Sequence, residues 1–416
     1  MADPGRFETT PGGYGDLPRS ADVVVIGGGV TGASTAFQLA KRGVGVTLLE
    51  QRELGAGATG KSGALVRAHY TNPVETALTL ESLRIFAAWD EVVGAGSPRF
   101  EAVGFVQVVA PEDEPHLRAN VAAHQALGVE TAVVSAADLA EIEPLMRTDD
   151  LTHVAFEPKS GYADPLGTLY GFAAAATRHG ASVREGTAAT AIATDPRGRV
   201  VGVDTTRGRI ATESVVLAGG AWANRLLAPL GVDLGLTPRR IQVVVFRWPR
   251  GVDQGRRHRV VIDATTHAWF RPEGATGTVI GVETGGRTCE PDGYGETADA
   301  AYVDAARAAL AHRFPAFAHA TMRGAWAGMI MMSVDSRPLI GPVPEVPGLY
   351  VIAGDSGTSF KTAPAIGVCL AELLTEGTAS PVDLTPFRPS RFAEGLPWRD
   401  EHTYGGVEEH LLTISR

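Results

Sequence analysis

The stretch 23–50 constrains this chain more than any other. Val23-Val24-Val25-Ile26 is continuous and β-branched, the pattern of a parallel strand buried on both faces. Gly27, Gly29 and Gly32 follow as G-x-G-x-x-G, and Val30, Ala33, Phe37 and Ala40 recur at helical spacing until Gly43 stops the helix. A second apolar strand then ends in Glu50, close to the spacing of about 20 residues expected between such a turn and a ribose-binding carboxylate. Each part has a physical task. Gly27 permits the tight turn, Gly29 lets backbone approach a pyrophosphate, and Gly32 lets the helix pack on the strand. The helix N-terminus then offers oriented N–H groups to the anion. A glycine-rich turn without a ligand is the competing reading, and the complete strand, turn, helix, strand and acid make it the weaker one.

Beyond this unit the chain alternates. Residues 73–93 and 112–127 read as helices around a strand at 103–109, and 165–179 reads as an alanine-rich helix. Short strands follow at 182–210, with Val215-Val216-Leu217 leading into Ala218-Gly219-Gly220. A strand-rich region at 236–282 precedes a helix at 297–313, and a last strand at 349–353 runs through Gly354 into a helix at 361–375. A length of 416 residues predicts two to three domains. The net charge of −10, with no basic run, argues against nucleic acid as a partner. No apolar run approaches the roughly 18 residues of a membrane span, so no integral membrane segment is expected. Cys289 and Cys369 stand alone, which indicates neither a disulfide framework nor a metal site and suits a reducing compartment. The stretch before residue 20 has no apolar core of a signal peptide, and the expected location is cytoplasmic. Only four of the 37 basic residues are lysine: Lys41, Lys61, Lys159 and Lys361.

The N-terminal unit, Gly161-Tyr162-Ala163-Asp164-Pro165, the run from Val215 to Trp222, and the run from Gly348 to Gly354 into Ser356-Gly357 together resemble the D-amino-acid oxidase superfamily of FAD-dependent oxidoreductases, within it the sarcosine oxidase and glycine oxidase branch. The resemblance implies an α/β (α+β) chain with a Rossmann-like FAD-binding domain and an inserted mixed β-sheet substrate domain. The expected FAD domain is discontinuous, formed by 20–98, 150–235 and 326–380. The expected substrate domain comprises 99–149 and 236–325, with a flexible N-terminus at 1–19 and a C-terminal extension at 381–416.

It also implies a site. Besides the glycines, the expected cofactor contacts are Val30, Thr31, Glu50 and Gln51, then Ala58, Thr59, Lys61, Ser62, Ala64 and Leu65 in a small-residue loop along the flavin. Ala189, Ala218, Gly219 and Trp222 would follow, with Gly354, Gly357, Thr358, Ser359, Phe360 and Lys361 where the last helix directs its N-terminus at the ring. Arg67 and Lys361 fall where sarcosine oxidases carry their substrate-carboxylate anchors; contact with flavin phosphate or a surface acid is the alternative for Arg67, and a solvated first-turn lysine for Lys361. Trp269 is a candidate pocket wall, and His69 and Arg271 are candidates for a base and a third anchor, set against core, satisfied-polar and surface readings.

Departures from the family pattern matter too. Gly328 stands where sarcosine oxidases attach flavin to cysteine, so non-covalent FAD is expected. The glycine oxidase branch's arginine near Ile330 is absent, and Val279 aligns by eye with the family's oxygen-activating lysine. The expected reaction is oxidation of the C–N bond of a small amino acid or N-alkyl amino acid, with hydride passing to flavin N5 and the imine hydrolysed. Oxygen or another electron acceptor would complete the cycle; a dehydrogenase, or a flavin-holding subunit of a larger complex, is the alternative.

Overall fold

The structure, a computed structural model, describes residues 16–252, 257–284 and 286–404. Residues 1–15 of the expected flexible N-terminus and 405–416 of the expected extension lie outside the described residues.

The β-branched run Val23–Ile26 is fully buried and forms the centre of a six-stranded sheet. Val46–Leu49 and then Ser182–Arg184 lie on one side of it; Val215–Leu217, Leu349–Ala353 and Leu339–Pro342 lie on the other. All pair in parallel except the edge strand Leu339–Pro342. Burial on both faces explains the absence of polar alternation in these runs. The helix Val30–Lys41 covers one face and packs between Pro165–Arg178 and Ser359–Glu376. Their apolar faces share one core with Phe37, Phe172, Ile366 and Leu370.

A nine-stranded mixed sheet makes the second layer system. Its order is Arg287–Thr288, Thr237–Arg247, Gly277–Val282, Ala268–Glu273, Val260–Asp263, Phe105–Val108, His153–Glu157 and Ala132–Ser135, with Thr321–Met332 pairing along Thr237–Arg247. Val260–Asp263 and Phe105–Val108 run parallel, and the remaining pairs run antiparallel. The helix Ala300–Arg313 covers this sheet with Tyr302, Ala306 and Leu310.

Several expectations change. The boundary at 326 falls inside Thr321–Met332, and His153–Glu157 joins the large sheet although 150–235 was assigned to the nucleotide unit. Both strands are recruited by partners distant in sequence. The helix expected at 73–93 breaks at Ala88 (φ −109°, ψ 33°) into Pro73–Ala87 and Trp89–Val92. The last helix begins at Ser359, two residues early, which puts Lys361 in its first turn.

Candidate active site

The carboxyl ends of four mutually parallel strands open on one cavity of about 520 Å³. The turns 27–31, 50–52, 218–222 and 354–361 all line it. The chain leaves Val23–Ile26 toward one side of the sheet and its neighbour Val215–Leu217 toward the other, and that divergence is where doubly wound sheets take ligands. The wall opposite comes from the large sheet through Ile241, Val243, Ile262, Trp269, Met329 and Ile330.

The glycine turn leaves no room for side chains. A Cβ at Gly27 (φ +117°) would stand 2.2 Å from Ala218 O, and one at Gly32 would stand 2.1 Å from Gly27 O. Gly32 therefore supports the turn from beneath and does not line the cavity, while Gly27, Gly29, Val30 and Thr31 do. Glu50 points back at the turn: its Oε2 accepts from Gly28 N at 2.8 Å and its Oε1 from Arg52 N at 2.9 Å. The small-residue loop is tied to the first helix by Val30 N, which donates to Thr59 Oγ1 at 3.1 Å. Gln51, Ala58, Thr59, Lys61, Ser62, Ala64, Leu65, Ala189, Ala218, Gly219, Trp222, Gly354, Gly357, Thr358, Ser359 and Phe360 also line the cavity.

Two buried cations share its wall. Arg67 is fully buried and Lys361 is 5 % exposed. Arg67 Cζ lies 4.7 Å from the centroid of the Tyr70 ring, and Lys361 Nζ lies 4.9 Å from the same centroid. Lys361 Nζ also donates to Thr358 O at 3.2 Å. Burial lowers the pKa of Arg67, opposed by Tyr70, Glu157 and Glu75. A solvated first-turn lysine is excluded by the burial of Lys361.

Trp269 is wedged between two glycines. A Cβ at Gly63 would meet its Cη2 at 2.3 Å, and one at Gly281 would meet its Nε1 at 2.4 Å. Its indole is thereby held as a cavity wall.

Two expected reacting residues lie elsewhere. Arg271 Nε donates to Gly63 O at 2.6 Å and its Nη1 pairs with Glu273, so it braces the loop under Trp269 and does not line the cavity. His69 is buried behind the wall, with Nε2 2.7 Å from Tyr404 Oη, and burial holds its pKa well below the usual value. With His124 and Glu157 it forms the one group among the described residues that has metal-ligand chemistry, the three donor atoms lying within 4.8 Å of one another. The Arg67 charge acts on all three, which opposes a second cation there. Val279 is buried in the sheet and does not line the cavity, whereas Gly281 does. Gly328 faces Lys61, whose Cδ would be 3.2 Å from an added Cβ. Lys61 Nζ bonds Glu296 at 2.6 Å and Tyr294 at 2.7 Å; burial lowers its pKa, but these bonds outweigh it and the net shift is upward.

Sequence reasoning missed Asp355, Gln242, Glu283 and Tyr302. Asp355 is half-buried in the cavity wall, and burial pushes its carboxyl up to about 6. Its place directly after Gly354, in a turn already assigned to the cofactor, was the available signal. Gln242 lies on the large sheet, Tyr302 on the helix covering it and Glu283 just past the strand Gly277–Val282, and no local pattern reveals which way they face.

A phosphate-cradling turn, a ribose-type acid and a second sheet closing over the crevice define a dinucleotide-dependent enzyme with its own substrate chamber. The chain belongs to the DAO family of FAD-dependent oxidoreductases, whose model matches residues 22–373. It is 28% identical over 378 residues to glycine oxidase of Geobacillus kaustophilus, covering 89% of this chain and 97% of that protein. It is 26% identical over 393 residues to sarcosine oxidase subunit beta of Rhodobacter capsulatus, covering 93% and 92%. Among solved structures, L-proline dehydrogenase from P. horikoshii superposes with a TM-score of 0.84 at 28% identity, covering 91% of this chain and 99% of that one. The chain is thus an FAD-dependent amino acid oxidoreductase of the glycine oxidase and sarcosine oxidase type. Its site fits FAD: the turn 27–31 lines the cavity at the N-terminus of Val30–Lys41 and would take a pyrophosphate, Glu50 at the end of the second strand would serve a ribose, and the first turn of Ser359–Glu376 faces the remaining space. Among the described residues no helix is long and apolar enough to cross a membrane.

Proposed function

We propose that this chain oxidises the C–N bond of a small amino acid or N-alkyl amino acid, holding the substrate carboxylate between Arg67 and Lys361 and using FAD bound without a covalent link. The observation that carries this reading is the pair of buried cations flanking one tyrosine ring at the cavity wall. Both cations line the cavity from one side, so a carboxylate entering it would gain a charge-assisted partner from each. Arg67 offers a planar fork to both carboxylate oxygens, and Lys361 adds a point charge. FAD, when bound, supplies the two-electron acceptor. Trp269, Ile241, Val243 and Met329 exclude water from the chamber and so favour the neutral amine, whose lone pair assists loss of the α-hydrogen. The imine product is hydrolysed by water.

A dehydrogenase passing electrons to an acceptor other than oxygen is the second reading. It is favoured by Lys61, whose charge is engaged by Glu296, and by the similarity to L-proline dehydrogenase. Hydrogen peroxide yield against dye reduction separates the two. The anchor is tested by titrating Arg67→Met and Lys361→Met with an amino acid and with its amine lacking the carboxylate, such as proline and pyrrolidine. Each variant is expected to lose about 10- to 100-fold in affinity for the acid and none for the amine, with FAD retained. Equal losses for both ligands, or unchanged affinity for the acid, would remove the anchor.

A further inference from the structure

Arg67 sits just past the two-residue strand Leu65–Val66, on irregular backbone. No sheet ladder fixes the following residues; side chains from elsewhere do. Ala68 N donates to Glu157 Oε2 at 3.0 Å, Tyr70 O lies 2.7 Å from His124 Nε2, and Asn72 caps the helix Pro73–Ala87 through Glu75 N. A segment beyond the family match at 373 reaches the two remaining positions, and Thr71 Oγ1 also accepts from Arg337 Nη2 at 3.1 Å. His69 Nε2 bonds Tyr404 Oη at 2.7 Å, and Thr71 Oγ1 donates to Asp400 Oδ2.

That segment is itself anchored. Arg391 pairs with Asp335 at 2.8 Å, the Trp398 ring stacks on Phe387 at 5.3 Å, and Trp398 Nε1 donates to Asp400 Oδ1 at 2.7 Å. Asp400 pairs with Arg337, which reaches Glu75 at 2.9 Å. Tyr404 is fully buried, stacks on the His69 ring at 5.9 Å and accepts from Asn120 Nδ2 at 2.8 Å. Tyr404 also acts electrostatically on Arg67.

We propose that Tyr404 and Asp400 are positioning residues: they fix the backbone 67–71 so that the Arg67 fork meets the substrate carboxylate. This rests on the anchor reading above. Neither residue lines the cavity, so each acts through the loop. Two hydrogen bonds from one segment to alternate residues set both the height and the tilt of the stretch between them. Losing either lets a long side chain drift, and a displacement of about 1 Å is enough to weaken a bidentate contact severely.

The test is a double-mutant cycle on the FAD-loaded enzyme, following anaerobic reduction by the amino acid that bleaches the flavin best. Tyr404→Phe keeps the ring stack and removes the hydroxyl; Asp400→Asn keeps the shape and removes the charge, and serves as the second arm if the first variant folds poorly. Each is expected to raise the half-saturating concentration of the acid about 5- to 10-fold with the limiting rate within about twofold. In an Arg67→Met background, neither is expected to add a further loss, because the group they position is gone. Losses that add to that of Arg67→Met, or unchanged half-saturation in both single variants, would overturn the proposal while leaving the anchor standing. If Arg67→Met alone leaves half-saturation unchanged, the anchor reading falls and this inference with it.

Discussion

At the scale of single residues, the account turns on atoms that have no room to be anything else. A methyl group at Gly27 would collide with the Ala218 carbonyl oxygen at 2.2 Å, and neither backbone can yield without disturbing the central strand pair. Gly27→Ala is therefore expected to reduce FAD occupancy about 10-fold or more. Gly43→Ala is the control, since Gly43 also has positive φ (+82°) but meets nothing within 4 Å. Absorbance ratios of the purified variants check this, and equal flavin content in both would mean that the turn does not cradle the cofactor. Arg271 carries a similar lesson with the opposite outcome. It sits two residues from Trp269 on one strand, yet its guanidinium turns to Gly63 O, so strand position alone does not make it an anchor.

At the scale of elements, what could be read from sequence was what is local. The unit from Val23 to Glu50 was legible because strand, turn, helix and acid are contiguous and each carries its own periodicity. The cofactor loop and the last helix were legible through resemblance, and nearly all their named residues line the cavity. The large sheet was not. Thr321–Met332 has four glycine or alanine positions near its centre and alternates poorly, with its first half exposed or half-buried and its second half buried. It is a strand because Thr237–Arg247 pairs with it from Thr237↔Met332 to Arg247↔Thr321, a relation no local window contains. The same blindness hid the facing of Gln242 and of Val279, since strand facing is decided by partners and not by residue type. Of the two readings of His69, the satisfied polar residue fits its bond to Tyr404, a partner too far along the chain for local pattern to name.

At the scale of the whole molecule, buried neutral histidines tie stability to pH. Burial pushes His124 and His258 each down to about 4, against an ordinary value of 6.5. Between those values the unfolded chain holds protons the folded chain does not, so stability falls as pH drops from 6.5 toward 4 and these groups contribute nothing above 6.5. Asp355 works oppositely: raised to about 6, it binds its proton earlier in the folded state and offsets about one of these protons. His69, also shifted down, adds to the loss. Glu157, also raised by burial, opposes the loss as Asp355 does; each histidine proton taken up on unfolding is worth about 1.4 kcal/mol per pH unit, and three histidines against two carboxyls leave stability lower on the acid side. Urea midpoints measured at pH 7 and 4.5 should differ accordingly, and an invariant midpoint would contradict it.

The central claim, an amino acid oxidoreductase with dissociable FAD and a carboxylate-binding chamber, meets its most direct test in one anaerobic experiment. The purified yellow protein is mixed without oxygen with a panel of α-amino acids, N-methyl amino acids and the corresponding amines, the flavin band is followed, and the protein is then precipitated with acid. The account predicts bleaching by at least one amino acid or N-methyl amino acid, none by its decarboxylated amine at the same concentration, and FAD recovered in the supernatant. Bleaching by amines as readily as by acids, or by no amino compound at all, would contradict it.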